Sequence, residues 1–154
     1  MVFCGSESGK PSRCYVRELE SGATRTVTPE GTDRGVLSPD GRTVVARGTD
    51  GRYQRYPLDG SHPVPVAGLE TVDVIISFRP DSRSLLVLGL WQIPARVESL
   101  DLETGRKTLI RELAPADRIG AVAFYGVDVS ADEKSYVYCL DRSIAALYSV
   151  EGVR

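Results

Sequence analysis

The stretch Val36-Leu37-Ser38-Pro39-Asp40-Gly41-Arg42-Thr43-Val44-Val45-Ala46 reads as a strand, a tight turn and a second strand. Pro39 presets φ near about −65°, Asp40 can bond the backbone ahead of it, and Gly41 accepts the positive φ that closes a hairpin. The device returns as Phe78-Arg79-Pro80-Asp81-Ser82-Arg83-Ser84-Leu85. A weaker copy is Val129-Ser130-Ala131-Asp132-Glu133-Lys134-Ser135-Tyr136.

A second marker runs in step with the first. Leu19-Glu20-Ser21-Gly22, Leu58-Asp59-Gly60, Leu102-Glu103-Thr104-Gly105 and Val150-Glu151-Gly152 each set an apolar residue and an acid before a glycine turn. These glycines stand 38, 45 and 47 residues apart, and the turn prolines Pro39 and Pro80 stand 41 apart. Two markers drifting together at that period suit the four-stranded blade of a β-propeller. The expected fold is therefore all-β, a partial β-propeller of about four four-stranded blades in one domain spanning 1–154. The units are 1–30, 31–69, 70–114 and 115–154, the first and last incomplete.

Strands A to D, inner to outer, follow from local patterning. The first unit gives B, C and D at 1–6, 13–19 and 24–28. The second gives all four, at 35–38, 43–48, 52–58 and about 63–67. Pro63 and Pro65 in the last of these cannot donate to a ladder, which suits an outer edge. The third unit is also complete, at 74–78, 84–90, 95–102 and 106–113. Residues 85–90 are nearly all apolar, as a strand covered on both faces should be. A linker at 114–121, long enough for one short helical turn, leads to A, B and C strands at 123–130, 135–140 and 145–150. The expected total is fourteen strands.

These residues resemble the WD40-like (PD40) propeller repeats of the TolB type, whose hallmark is a Ser-Pro-Asp-Gly hairpin between strands A and B. Four further passages resemble the C-terminal propeller of acidobacterial-type serine/threonine protein kinases: residues 51–60, 100–105, 113–117 and 146–152. The resemblance covers most of 25–154. It implies a sensor or scaffold half of a signalling protein, since no Gly-rich loop, His-Arg-Asp or Asp-Phe-Gly stands here. In such rings the last blade often borrows its outer strand from the other end of the chain. Two copies completing one another, into an eight-blade ring, are the expected partner arrangement, with another protein partner the alternative; a closed four-blade monomer and an open arc are the competing arrangements.

The chain has 154 residues, 26% charged and 42% hydrophobic, with a net charge of −2. That is ample for one core and gives no basic face for nucleic acid. No apolar run approaches the roughly 20 residues of a membrane span, and the start lacks the pattern of a signal peptide. Cys4, Cys14 and Cys139 fit no zinc spacing. Cys4 and Cys14 could face each other across a hairpin centred near Gly9, as a disulfide or as half-buried thiols.

No catalytic set emerges. His62 is the one histidine; it falls in an outer strand, and no Gly-x-Ser-x-Gly elbow accompanies it. Asp40, Asp59, Asp81 and Asp132 sit in turns, where aspartate bonds its own backbone. Acid spacing is too sparse for a calcium loop, and neither a metal nor a cofactor is expected. The candidate binding surface is Trp91, Asp73 and Asp128. Trp91 lies on a loop, as a contact residue or as a plug between blades. Asp73 and Asp128 lie near inner-strand starts and could face a channel. Arg96, Glu98 and Arg142 read as structural ion-pair members, and Tyr136, Tyr138 and Tyr148 as inter-blade packing. The expected function is a non-catalytic module for protein–protein interaction or ligand sensing. The alternative is the gating propeller of a prolyl-oligopeptidase-like peptidase.

Overall fold

The computed structural model describes residues 1–130 and 132–148. Among them there is no helix; thirteen strands form four antiparallel sheets. The first sheet is β1 (Val2–Gly5), β2 (Arg13–Arg17) and β3 (Thr24–Thr26). The second is β4 (Asp33–Leu37), β5 (Thr43–Arg47), β6 (Tyr53–Pro57) and β7 (Val64–Pro65). The third is β8 (Asp73–Phe78), β9 (Ser84–Gly89), β10 (Ala95–Asp101) and β11 (Lys107–Leu113). The fourth is β12 (Ala121–Val129) with β13 (Tyr136–Arg142). Every sheet is a meander of sequential neighbours, so each hairpin is set by its own turn. The protein is a partial β-propeller.

Three apolar layers lie between the four sheets. On β5, Val44 and Ala46 pack toward the first sheet with Cys14 and Val16, while Val45 packs toward the third with Leu85 and Val87. On β9, Leu85 and Val87 belong to that second layer, and Leu86 and Leu88 to a third layer with Phe124 and Val127. Side chains alternate across a strand, so a nearly all-apolar strand feeds two cores at once. All six residues of β9 are buried. At about 1.5–3 kcal/mol per fully buried large aliphatic side chain, this double burial holds the sheets face to face.

Two details of the sequence reading change. The 114–121 linker forms no helical turn. Residues 145–148 form no strand, and the rest of the expected last C strand, 149–150, lies outside the described residues. The fourth sheet therefore shows two strands among the described residues.

Cys4 and Cys14 are directly opposed in the β1–β2 ladder and form a disulfide. Gly35 of β4 lies over it and donates its N–H to Cys4 Sγ at 3.1 Å. A Cβ at Gly35 would stand 2.9 Å from both sulfurs, so the side-chain-free residue lets the second sheet close onto the first. Cys139 is free and exposed.

Candidate interaction surface

The A–B turns form a rank along one rim. In the β4–β5 turn, Ser38 Oγ accepts from Thr43 N at 2.9 Å and donates to Asp40 Oδ1 at 2.6 Å. Asp40 Oδ1 also accepts from Arg42 N at 3.1 Å. The fourth sheet repeats this: Ser130 Oγ accepts from Ser135 N at 3.0 Å and donates to Asp132 Oδ1 at 2.6 Å. The hydroxyl of Ser38, then the Arg42 N–H, hold the Asp40 carboxyl below its usual range; Ser130 and the Lys134 N–H do so for Asp132.

In the third sheet Arg79 stands at the serine position, and Asp81 takes over the turn. Asp81 Oδ1 accepts from Arg83 N at 2.8 Å and Ser84 N at 2.9 Å. Burial pushes Asp81 up, but these N–H groups and the Ser84 hydroxyl bring its pKa below the usual carboxylate value. Arg79 is thereby free for another partner. Its Nε and Nη2 reach Glu133 Oε1 and Oε2 at 2.7 and 2.8 Å, a two-pronged pair across to the next sheet.

The residue that closes each of these turns has positive φ: Gly41 at 71°, Ser82 at 56° and Glu133 at 56°. The two side-chain-bearing ones both reach back one sheet. Ser82 Oγ accepts from Asp40 N at 3.1 Å, and Glu133 takes Arg79. Each turn is thus tied to its predecessor.

The sequence-derived site residues separate. Trp91 is 68% exposed in the β9–β10 loop at φ 64°, so it plugs nothing between blades. Asp73 opens β8 as expected but is only 6% exposed. Its carboxylate accepts from Lys107 Nζ on β11 and from Glu70 N, and so is an internal ion-pair member rather than a surface group. Asp128 is exposed, yet lies near the end of β12, because that strand begins at Ala121; its Oδ1 accepts from Val129 N at 2.8 Å. Arg96 pairs with Glu98 at 3.5 Å and Arg142 with Asp117 at 3.4 Å. Tyr138 packs edge-on against Phe124, and Arg111 of β11 lies 4.9 Å over Tyr136. Tyr136 thus reaches the third sheet, whereas Tyr138 meets Phe124 within the fourth and Tyr148 is exposed. His62 is exposed just before β7.

Sequence reading missed the inner face. Each of β4, β8 and β12 carries a one-residue bulge: between Asp33 and Val36, between Ile75 and Ser77, and between Tyr125 and Asp128. Arg34 and Gly126 hold φ of 53° and 60° within the first and last of these. Beside them opens a cleft of about 340 Å³, whose lining includes Arg34, Val74, Ile76, Leu88, Leu90 and Tyr125. By contrast, the space among Leu86, Val97, Leu113 and Tyr136 is about 20 Å³, room for a single water.

The comparisons with known proteins agree with this geometry. TolB from Acinetobacter baumannii superposes with a TM-score of 0.58 over 91% of this chain, at 14% identity. The fold is that of a TolB-like β-propeller. A prolyl endopeptidase structure matches at 0.59 over 92% of the chain, with 17% identity. An acylaminoacyl peptidase from Pyrococcus horikoshii matches at 0.53 over 75%, also at 17% identity. The chain spans 40% of the matched TolB chain, 24% of the endopeptidase and 22% of the acylaminoacyl peptidase. No protein-family model matches the sequence, and no curated protein matches it.

Proposed function

We propose that this segment is a non-catalytic propeller module for protein–protein interaction, and that two copies complete one another. The observation that carries the reading is the fourth sheet. Among the described residues β13 pairs only with β12, and Tyr125 and Val137 on these two strands remain exposed. Unpaired edges and apolar sheet faces favour pairing with another chain. At the other end of the strand order, Phe3 and Tyr15 stack at 5.3 Å on the first sheet, and Phe3 stays exposed. Head-to-tail contact between these two ends, repeated by a two-fold rotation, closes a ring of eight sheets. Trp91, and Asp128 near the end of β12, supply further contact groups. The kinase-type passages fit the same role, as the sensor or scaffold part of a signalling protein.

The test is solution mass by light scattering across a concentration series. A dimer near twice 16.8 kDa, weakened by Val137→Glu, supports self-completion. A monomer at all concentrations refutes it. A second reading, the gating propeller of a peptidase, draws on the likeness to a prolyl endopeptidase over 92% of the chain; it is an analogy of fold. A hydrolase domain encoded beside this segment supports that reading, and its absence removes it.

A further inference from the structure

The inner-face cleft is assembled from three consecutive sheets. Arg34 comes from β4, Val74 and Ile76 from β8, Leu88 from β9 with Leu90 just beyond it, and Tyr125 from β12. Its volume, about 340 Å³, lies at the lower end of the range for small-molecule sites. Most of the wall is aliphatic. Arg34 is the one lining residue with a formal charge at neutral pH. Partial desolvation, and then the Asp141 carboxylate beside it, push the Tyr125 phenol above its usual value.

Arg34 is exposed, and two of its features bear on the cleft. Its neighbour Asp33 is taken by Arg47, at 3.1 Å. Among the described residues, no carboxylate lies within salt-bridge distance of the Arg34 guanidinium. Its backbone also sits at φ 53°, a region costly for a side chain of this kind. Strain held in a bulge beside a cleft is a feature of ligand sites. Glycine would relieve that strain, yet an arginine occupies the position.

We propose that this cleft binds a small apolar carboxylate, its anion on the Arg34 guanidinium and its hydrocarbon against Val74, Ile76, Leu88 and Leu90. Arginine suits this because its planar fork takes a carboxylate in two parallel hydrogen bonds and is less strongly hydrated than an ammonium. The aliphatic wall selects a branched or aromatic hydrocarbon of few carbons. The site lies on the inner strands, so the inference stands whether or not two copies associate.

The test is calorimetric titration of the full chain with 4-methylpentanoate and 3-phenylpropionate, each compared with its own amide. The expected result is one saturable site per chain with a Kd on the order of 1 mM or tighter. The amides should bind at least about tenfold more weakly, because they cannot form the charge-assisted pair. Arg34→Gly suits the local φ, and should leave the circular dichroism unchanged while weakening the acids about tenfold or more. Arg34→Lys should fall between the two. Equal binding of acid and amide by the unaltered protein overturns the proposal without any variant. So does saturation that Arg34→Gly leaves unchanged, or no saturation at about 10 mM ligand, ten times the expected Kd. Binding confined to a peptide C-terminus, with neither free acid bound, also overturns it.

Discussion

Replacing Glu133 separates two effects that meet at one residue: the pair with Arg79 and the left-handed backbone that positions it. The Arg79 and Glu133 side chains are 30% and 24% exposed. A fully exposed pair contributes about 0.2–1 kcal/mol, whereas breaking a buried one costs about 3–5 kcal/mol. A two-pronged pair at this partial burial should contribute about 1.5 kcal/mol. The φ of 56° costs a residue with a Cβ about 1 kcal/mol relative to glycine. Glu133→Ala loses the pair and keeps the strain, so stability should fall by about 1.5 kcal/mol. Glu133→Gly loses the pair and sheds the strain, for a net loss of about 0.5 kcal/mol. Urea unfolding followed by circular dichroism reads the difference. With a slope of about 2 kcal/mol per molar urea, the midpoints should drop by about 0.7 M and about 0.25 M. The Arg79→Ala/Glu133→Ala cycle should give a coupling of about 1–1.5 kcal/mol. Equal losses for the alanine and glycine variants would refute the backbone part. A coupling below about 0.3 kcal/mol, within the scatter of additive sites, would refute the clasp.

Gly35→Ala brings a Cβ within 2.9 Å of both disulfide sulfurs, and should destabilise by about 1–3 kcal/mol through overpacking; in a Cys4→Ala/Cys14→Ala background the same change should cost little, as thermal melts would show. Lys107→Ala strands the buried Asp73 carboxylate and should cost about 3–5 kcal/mol, while Asp73→Leu with Lys107→Met should restore much of that in urea titrations. The lowered carboxyls of Asp40, Asp81 and Asp132 bind protons more weakly folded than unfolded. Their contribution is present above the unfolded value, about 3.9, and is lost as pH falls through their lower folded values. The urea midpoint should therefore drop on acidification below about pH 4, less so in Asp81→Asn; a midpoint flat from pH 7 to about 2.5 would contradict this.

The hairpins were legible in the amino-acid sequence because their determinants are local. Ser38, Asp40 and Thr43 satisfy one another within six residues, and the alternation of Leu85 to Leu88 assigns each side chain to one of two cores. Repeats of such units fix a stack of sheets before any coordinate is known. The disulfide stayed open in the sequence, since hairpin spacing permits the Cys4–Cys14 bond without requiring it. Partners far apart in the chain left no local trace. Arg79 reads as a flawed serine until Glu133, 54 residues on, is seen to take its guanidinium. Asp73 reads as a channel residue until Lys107, 34 residues on, buries it. Arg34 and Tyr125 belong to different repeats and carry no motif; bulges in the inner strands place them by the same cleft. Turn chemistry acts over a few bonds and is written in order along the chain. Which side chains meet between sheets depends on twist, bulges and packing, and only the folded arrangement of four sheets decides it.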